Sequence, residues 1–381
     1  MKVGILTLPQ NTNYGGLIQA YALQTVLKRM GHEAWIVKRE YGDYSFFKFY
    51  YTVAKELINK YILKKPLFVV LSKREKKRIE AVRMFYVQEF INKHIQPCTE
   101  ACNSSAKLKA GMVKYHFDAY IVGSDQVWRR WYATDSLYDF FLGFVGKNEP
   151  ARRISYAASF GVDHWEFSEE QTETCSRLIR LFDAVSVREQ SGIQLCKKHL
   201  GVNATQELDP TLLLDQSDYE NLIADQPKEE RQLLTYILDD TEDKKRVVCE
   251  LASFFRYEVF SVNNPKETDG SAALDDRKAY AVERWLGGFR DAQFVITDSF
   301  HACIFSVLFK KPFLVYANAN RGLTRFNSLL TLLGLEDRII FSSNDITGEK
   351  LEKDIDWNPV YDRLEREKAK SYAFLKQALA G

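Results

Sequence analysis

The chain has 381 residues, with 53 Lys+Arg against 51 Asp+Glu, a formal net charge of +2, and a composition that is 46% hydrophobic and 27% charged. Such a length calls for two or three domains, and the ordinary composition excludes extensive disorder. The balanced charge supplies no overall field for nucleic acid, and no apolar run approaches the ~18–20 residues that span a bilayer, so neither a nucleic-acid binder nor an integral membrane protein is expected.

Val3–Leu8 reads as a buried strand, closed by Pro9, rather than a signal peptide. A helix follows over Leu17–Met30, with Leu17, Tyr21, Leu23, Leu27 and Met30 at helical spacing and Gly31 ending it. Ala34–Lys38 is the next strand, which makes a βαβ opening and predicts a parallel sheet covered by helices. Strands are expected at Ala119–Val122, Ile154–Ala157 and Ala184–Val187, with a helix over Glu189–Leu200. The stretch Glu207–Asp215 reads as a crossing, after which the alternation restarts. Strands are then expected at Leu233–Leu238, Glu258–Val262, Phe294–Thr297, Phe313–Tyr316 and Arg338–Phe341. Helices are expected at Asp243–Phe255, Asp276–Arg290, Phe300–Phe309, Thr324–Leu333 and Tyr361–Leu379. The expected fold class is α/β, with two Rossmann-like domains facing a cleft: residues 1–208, residues 209–350, and a tail, 351–381, whose helix folds back on the first domain. Six cysteines without regular spacing read as the reduced thiols of a cytosolic protein.

Ligands in such sheets bind beyond the carboxyl ends of strands, where helix N-termini point. Three loops occupy such positions. Pro9–Gly16 contains Asn13, Tyr14, Gly15 and Gly16; the paired glycines either expose N–H groups to an anion or sugar or simply form a tight turn. The loop is neither G-x-G-x-x-G nor a P-loop, so no dinucleotide or nucleoside triphosphate is expected. In Gly123-Ser124-Asp125-Gln126-Val127-Trp128, Asp125 can orient a hydroxyl or cap a helix, and Trp128 offers a flat face for a sugar ring or for the core. In Thr297-Asp298-Ser299-Phe300-His301, Asp298 or Ser299 can cap the helix that begins there. His301 would stand in its first turn, beside an anion-favouring N-terminus, placed to pass a proton or to pack in the core. Arg188, between a strand and a helix, can make a bidentate pair with a carboxylate or phosphate, or a salt bridge with a neighbour such as Glu189.

No metal site is expected. His94, Cys98 and Cys102 are spaced by four, but Pro97 interrupts any helix that would align them, and no C-x-x-C pair is present. Residues 41–80 form an aromatic and then basic insertion, from Tyr41, Tyr44, Phe46 and Phe47 to Lys73, Arg74, Lys76, Lys77 and Arg78. It supports two readings: an amphipathic element on an anionic membrane surface at the inner face, where a lipid-linked acceptor would be met, or a helix packed on its own domain with a solvated basic flank.

The ordered set of motifs resembles the polysaccharide pyruvyl transferase family. The stretches are Asn13–Gln24, Gly123–Trp128, Ser155–Gly161, Val187-Arg188-Glu189, Asp209–Leu213, Ile296–His301, Arg325–Leu330 and Gly334–Arg338. The resemblance implies a fold like the GT-B glycosyltransferases and transfer of pyruvate from phosphoenolpyruvate to a sugar, or to a lipid-linked glycan, as a ketal, with no further cofactor. It implies Arg188 as the holder of the donor and His301 as the acid/base group, and Asp298, on the same loop, is expected to join His301 in catalysis. Members often carry arginine two residues before the motif histidine, where this chain has Ser299; Arg321, Arg325 or Lys310 would then supply the missing charge. The same architecture would also serve a nucleotide-sugar glycosyltransferase or a non-catalytic carbohydrate-binding protein.

Overall fold

The computed structural model describes residues 1–40, 73–133, 136–317 and 322–380. Arg321 and most of the aromatic and basic insertion, residues 41–72, lie outside the described residues.

The first sheet has six parallel strands in the order β2-β1-β3-β4-β5-β6: β1 (Lys2–Leu6), β2 (Glu33–Ile36), β3 (Ala119–Val122), β4 (Arg152–Ala158), β5 (Ala184–Val187) and β6 (Thr205–Gln206). The second has five parallel strands in the order β11-β10-β9-β7-β8: β7 (Leu233–Tyr236), β8 (Val259–Ser261), β9 (Phe294–Thr297), β10 (Phe313–Tyr316) and β11 (Ile339–Ile340). Each sheet runs outward from its first strand in both directions, so each has one switch point: between β1 and β3 in the first, and between β7 and β9 in the second. Loops leaving such neighbours diverge to opposite faces and open a crevice at the carboxyl edge.

Parallel strands are covered on both faces and therefore read as continuous apolar runs. Val3, Ile5 and Leu6 of β1, Ala119–Val122 and Phe294–Thr297 are all buried. Helix α1 (Tyr14–Arg29) follows β1, capped by Asn13, whose side chain accepts the Gly16 N–H. It ends where Gly31 takes φ +87°, a left-handed turn that favours glycine. The helices that follow before the crossing are α2 (Lys73–Arg83), α3 (Phe85–His94), α4 (Ser105–Met112), α5 (Glu169–Ile179) and α6 (Gln190–Leu195). The second sheet carries α7 (Gln216–Leu222), α8 (Glu242–Phe255), α9 (Val282–Asp291), α10 (Phe300–Leu308), α11 (Leu323–Leu333) and α12 (Gly348–Glu352). Arg74, Lys77 and Arg78 are exposed on α2.

One core cluster runs through both domains, joining Leu17 and Leu23 of α1 to Phe305 of α10 and Leu375 of the last helix. That helix, α13 (Trp357–Ala380), bridges the two. Its Tyr361 hydroxyl donates to the Leu308 carbonyl at 2.9 Å, while near its far end the Ala378 carbonyl accepts from Arg152 Nε at 2.8 Å. The helix expected from Asp276 begins only at Val282: Leu274–Arg277 is a short 3-10 helix, and the Asn264 amide, donating to the Asp276 and Lys278 carbonyls at 2.7 Å each, keeps it from running on into α9 (Val282–Asp291). No described helix is long and apolar enough to cross a membrane.

Candidate active site

The two switch points face each other across an open cleft of about 1920 Å³, including space open to solvent. One wall is the β1–α1 loop with Asp125, Gln126 and Tyr132; the other is the end of β7 with Asp298, Ser299, Phe300, His301 and Arg325.

Buried polar contacts fix the first wall. Gln19, 1% exposed, donates from Nε2 to Thr7 Oγ1 at 2.8 Å and to the Gly16 carbonyl at 2.9 Å, while its Oε1 accepts the Ser124 N–H at 3.0 Å. Thr7 Oγ1 in turn donates to the Ser124 carbonyl at 3.0 Å, so the loops after β1 and β3 are clamped together. Asp125 takes φ +70°, a left-handed conformation that costs a non-glycine residue energy, and this turns its carboxylate toward Arg188.

Arg188, 4% exposed, lies beneath the cleft rather than on it. Its Nη1 donates to Asp209 Oδ2 at 2.6 Å and its Nη2 to Asp125 Oδ1 at 3.3 Å. Asp209 stands in the crossing between the sheets, where Thr211 donates to its Oδ1 from both backbone N (3.1 Å) and hydroxyl (2.7 Å). Ser124 Oγ lies 3.2 Å from Asp209 Oδ2 and 3.0 Å from the Ala157 carbonyl. Burial alone pushes the Asp209 carboxyl up, but His301, Arg188 and Thr211 outweigh it and hold the group well below the usual carboxylate range.

His301 comes from the second domain, in the first turn of α10. It is 6% exposed and seats over the first domain at Gly15, where a Cβ would lie 2.1 Å from Nδ1. Its Nε2 lies 3.6 Å from Asp209 Oδ2, beyond hydrogen-bond length, and has no other partner among the described residues. Ser299 occupies the cap position of α10 but its side chain makes no capping bond, and among the described residues the positive end of that helix is open to the cleft.

Arg325, near the start of α11, also lines the cleft, and among the described residues it makes no ion pair. Burial and the nearby charge of Arg188 push its guanidinium down to about 10, which leaves it cationic at neutral pH. The Phe300 ring links the two arginines, with guanidinium carbons 4.5 Å (Arg188) and 5.6 Å (Arg325) from its centroid.

Of the residues singled out in the sequence, Asn13, Tyr14, Gly16, Asp125, Ser299, His301 and Arg325 line the cleft, and Gly15 supports His301. Ser124 is wholly buried and braces Asp209. Trp128 offers no face to a sugar: it is 0% exposed, stacks on Phe141 at 5.1 Å and donates to the Phe140 carbonyl. Asp298 is fully engaged by the Leu238 and Asp239 N–H groups, at 2.7 and 3.1 Å, and by Lys244 Nζ at 2.6 Å. Asp298→Ala should therefore destabilise the protein by about 3–5 kcal/mol, since Lys244 would be left charged and buried. Urea unfolding measures it, and a change below about 1 kcal/mol would count against this structural role. Asp209 and Phe300 are the site residues that sequence reasoning did not single out; the Asp209-Pro210-Thr211 motif was the available signal.

Two parallel α/β domains whose switch points meet across a cleft make this a GT-B-like architecture. The chain belongs to the polysaccharide pyruvyl transferase family, whose model matches residues 13–320. Among solved structures, the UDP-GlcNAc 2-epimerase of Neisseria meningitidis bound to UDP-GlcNAc aligns with a TM-score of 0.51, at 9% identity over 100% of this chain and 99% of that one. A spinosyn rhamnosyltransferase aligns at 0.49, with 11% identity over 98% and 99% of the two chains. The UDP-N-acetylglucosamine 2-epimerase of Rickettsia bellii aligns at 0.47, with 12% identity over 99% and 96%. Identities of this size speak to the fold alone, and no curated protein matches the chain.

Proposed function

We propose that the chain transfers the pyruvyl group of phosphoenolpyruvate to two hydroxyls of a sugar, forming a cyclic ketal. The observation that carries the reading is Arg325, a cation without an ion-pair partner among the described residues, on the same cleft as His301 and the open N-terminus of α10. A donor with a carboxylate and a phosphate needs such positive groups. Arg325 takes the anchoring part that the resemblance gives to Arg188, whose charge is already met by Asp125 and Asp209.

In the reaction, His301 gives a proton to the methylene carbon of the donor, and C2 becomes oxocarbenium-like. A sugar hydroxyl oxygen bonds to C2, and the C2–O bond to phosphate breaks with its electron pair leaving on phosphate. A second hydroxyl of the sugar then closes the ring at C2. Of the two hydroxyl protons released, one restores His301 and the other leaves with phosphate.

Purified protein given phosphoenolpyruvate and a panel of neutral glycans should release inorganic phosphate and produce a glycan with a new methyl resonance. Release of a nucleotide from a nucleotide-sugar, with no phosphate from phosphoenolpyruvate, would replace this reading with a glycosyltransferase. Arg325→Gln should raise the donor KM about 10–100-fold, the worth of a hydrogen bond to a charged group, with a smaller effect on kcat. An unchanged donor KM would remove Arg325 from the binding site.

A further inference from the structure

Asp209 touches each side of the site, and its two oxygens are used differently. Oδ1 is held by Thr211 within its own turn, whereas Oδ2 faces Arg188 Nη1 at 2.6 Å, Ser124 Oγ at 3.2 Å and His301 Nε2 at 3.6 Å. The carboxylate side chain is wholly buried, and so is the imidazole nitrogen it faces, which finds no partner elsewhere among the described residues. A buried nitrogen without a hydrogen bond is costly, and an acceptor stands within about an ångström of ideal length.

We propose that Asp209 is the positioning residue of His301: it accepts the Nε2 proton, fixes the ring in the Nε2–H tautomer, and leaves Nδ1, above Gly15, as the nitrogen that carries the transferred proton. This rests on the pyruvyl-transfer reading for its consequence in turnover, but not for the tautomer itself. The separation closes as the second domain, which carries His301, settles toward the crossing that carries Asp209; such bonds tighten when substrate is bound. Arg188 and Ser124 keep Oδ2 in place, and Thr211 stops the carboxylate from rotating. The carboxylate also stabilises the imidazolium, which gives its Nδ1 proton to the donor and is restored when a hydroxyl proton returns, while Asp125 and Arg188 complete the charge around it.

The test begins with the wild-type protein. With ¹⁵N-labelled histidine, the His301 signals among the six histidines are assigned by their loss in His301→Gln. The neutral ring is expected to be protonated at Nε2; a neutral ring protonated at Nδ1 overturns the proposal. Asp209→Asn should then mix the tautomers and lower kcat about 100-fold, with donor KM changed less than about threefold. A folded Asp209→Asn protein that keeps both the wild-type tautomer and wild-type kcat overturns the proposal as well. If no variant and no wild-type sample transfers pyruvate, the tautomer measurement still decides for or against Asp209, and only the pyruvyl-transfer reading falls.

Discussion

His301→Gln should yield a folded protein that still binds phosphoenolpyruvate but turns it over about 10²–10⁴-fold more slowly, the span typical of removing a general acid. Glutamine is close to histidine in size and can donate a hydrogen bond, yet it cannot give up a proton at neutral pH. The side chain lies at the start of α10, at the meeting of the two domains, and packs against Gly15 and Phe300 rather than deep within either sheet. The substitution therefore removes chemistry while sparing the cores. Single-turnover phosphate release gives the rate, and a thermal-shift titration with phosphoenolpyruvate gives binding. Turnover within about tenfold of wild type would exclude His301 as the proton donor.

Gly15→Ala should be nearly as damaging, although no reacting atom belongs to Gly15. A Cβ there would meet His301 Nδ1 at 2.1 Å, Cγ at 2.4 Å and Cβ at 2.9 Å, all impossible contacts. Gly15 sits in the first turn of α1, where alanine favours the helix by up to about 1 kcal/mol. Local folding would thus be helped while the imidazole is driven off its seat. Displacing a catalytic group by about an ångström costs roughly 100-fold. At Gly16 the nearest atoms to a new Cβ are Asn13 Nδ2 at 3.4 Å and the Asn13 side-chain carbon at 3.6 Å, ordinary contact. The loss at Gly15 should accordingly exceed the loss at Gly16 by at least about tenfold, measured as kcat alongside far-UV circular dichroism. Equal effects would mean that the contact with His301 does not govern the site.

The fold was largely legible because parallel strands buried on both faces leave short apolar runs; Ala119–Val122, Ala184–Val187, Phe294–Thr297 and Phe313–Tyr316 can be read directly from sequence. Helices α3, α4, α5 and α7 escaped because each buries three side chains or fewer, which leaves a weak apolar period, though the Ser168/Gln171 capping box of α5 was available. His301 was recognisable from its place between a strand end and a helix start. The roles of Asp298 and Trp128 were not, because their partners are remote or depend on the path of a loop. Lys244 is 54 positions from Asp298, and the turn at Asp125 with positive φ directs Trp128 inward onto Phe141. Asp209 shares this difficulty: Asp125, Arg188, Asp209 and His301 meet only when two sheets close on each other, and no local pattern encodes that meeting.

The last helix bears on how the cleft can move. Two stretches of chain join the sheets: the crossing that bears Asp209, and α13, which is anchored to Leu308 at one end and to Arg152 at the other. A pair of bodies tied by one strand can swivel about it, whereas a second tie removes that freedom and leaves rocking about the line between the two. Rocking thus pivots beside Asp209, and across the cleft Arg83 of α2 pairs with Glu267 of the second domain at 2.6 Å. The 3.6 Å gap between His301 Nε2 and Asp209 Oδ2 lies next to that pivot, so a small rocking is enough to close it.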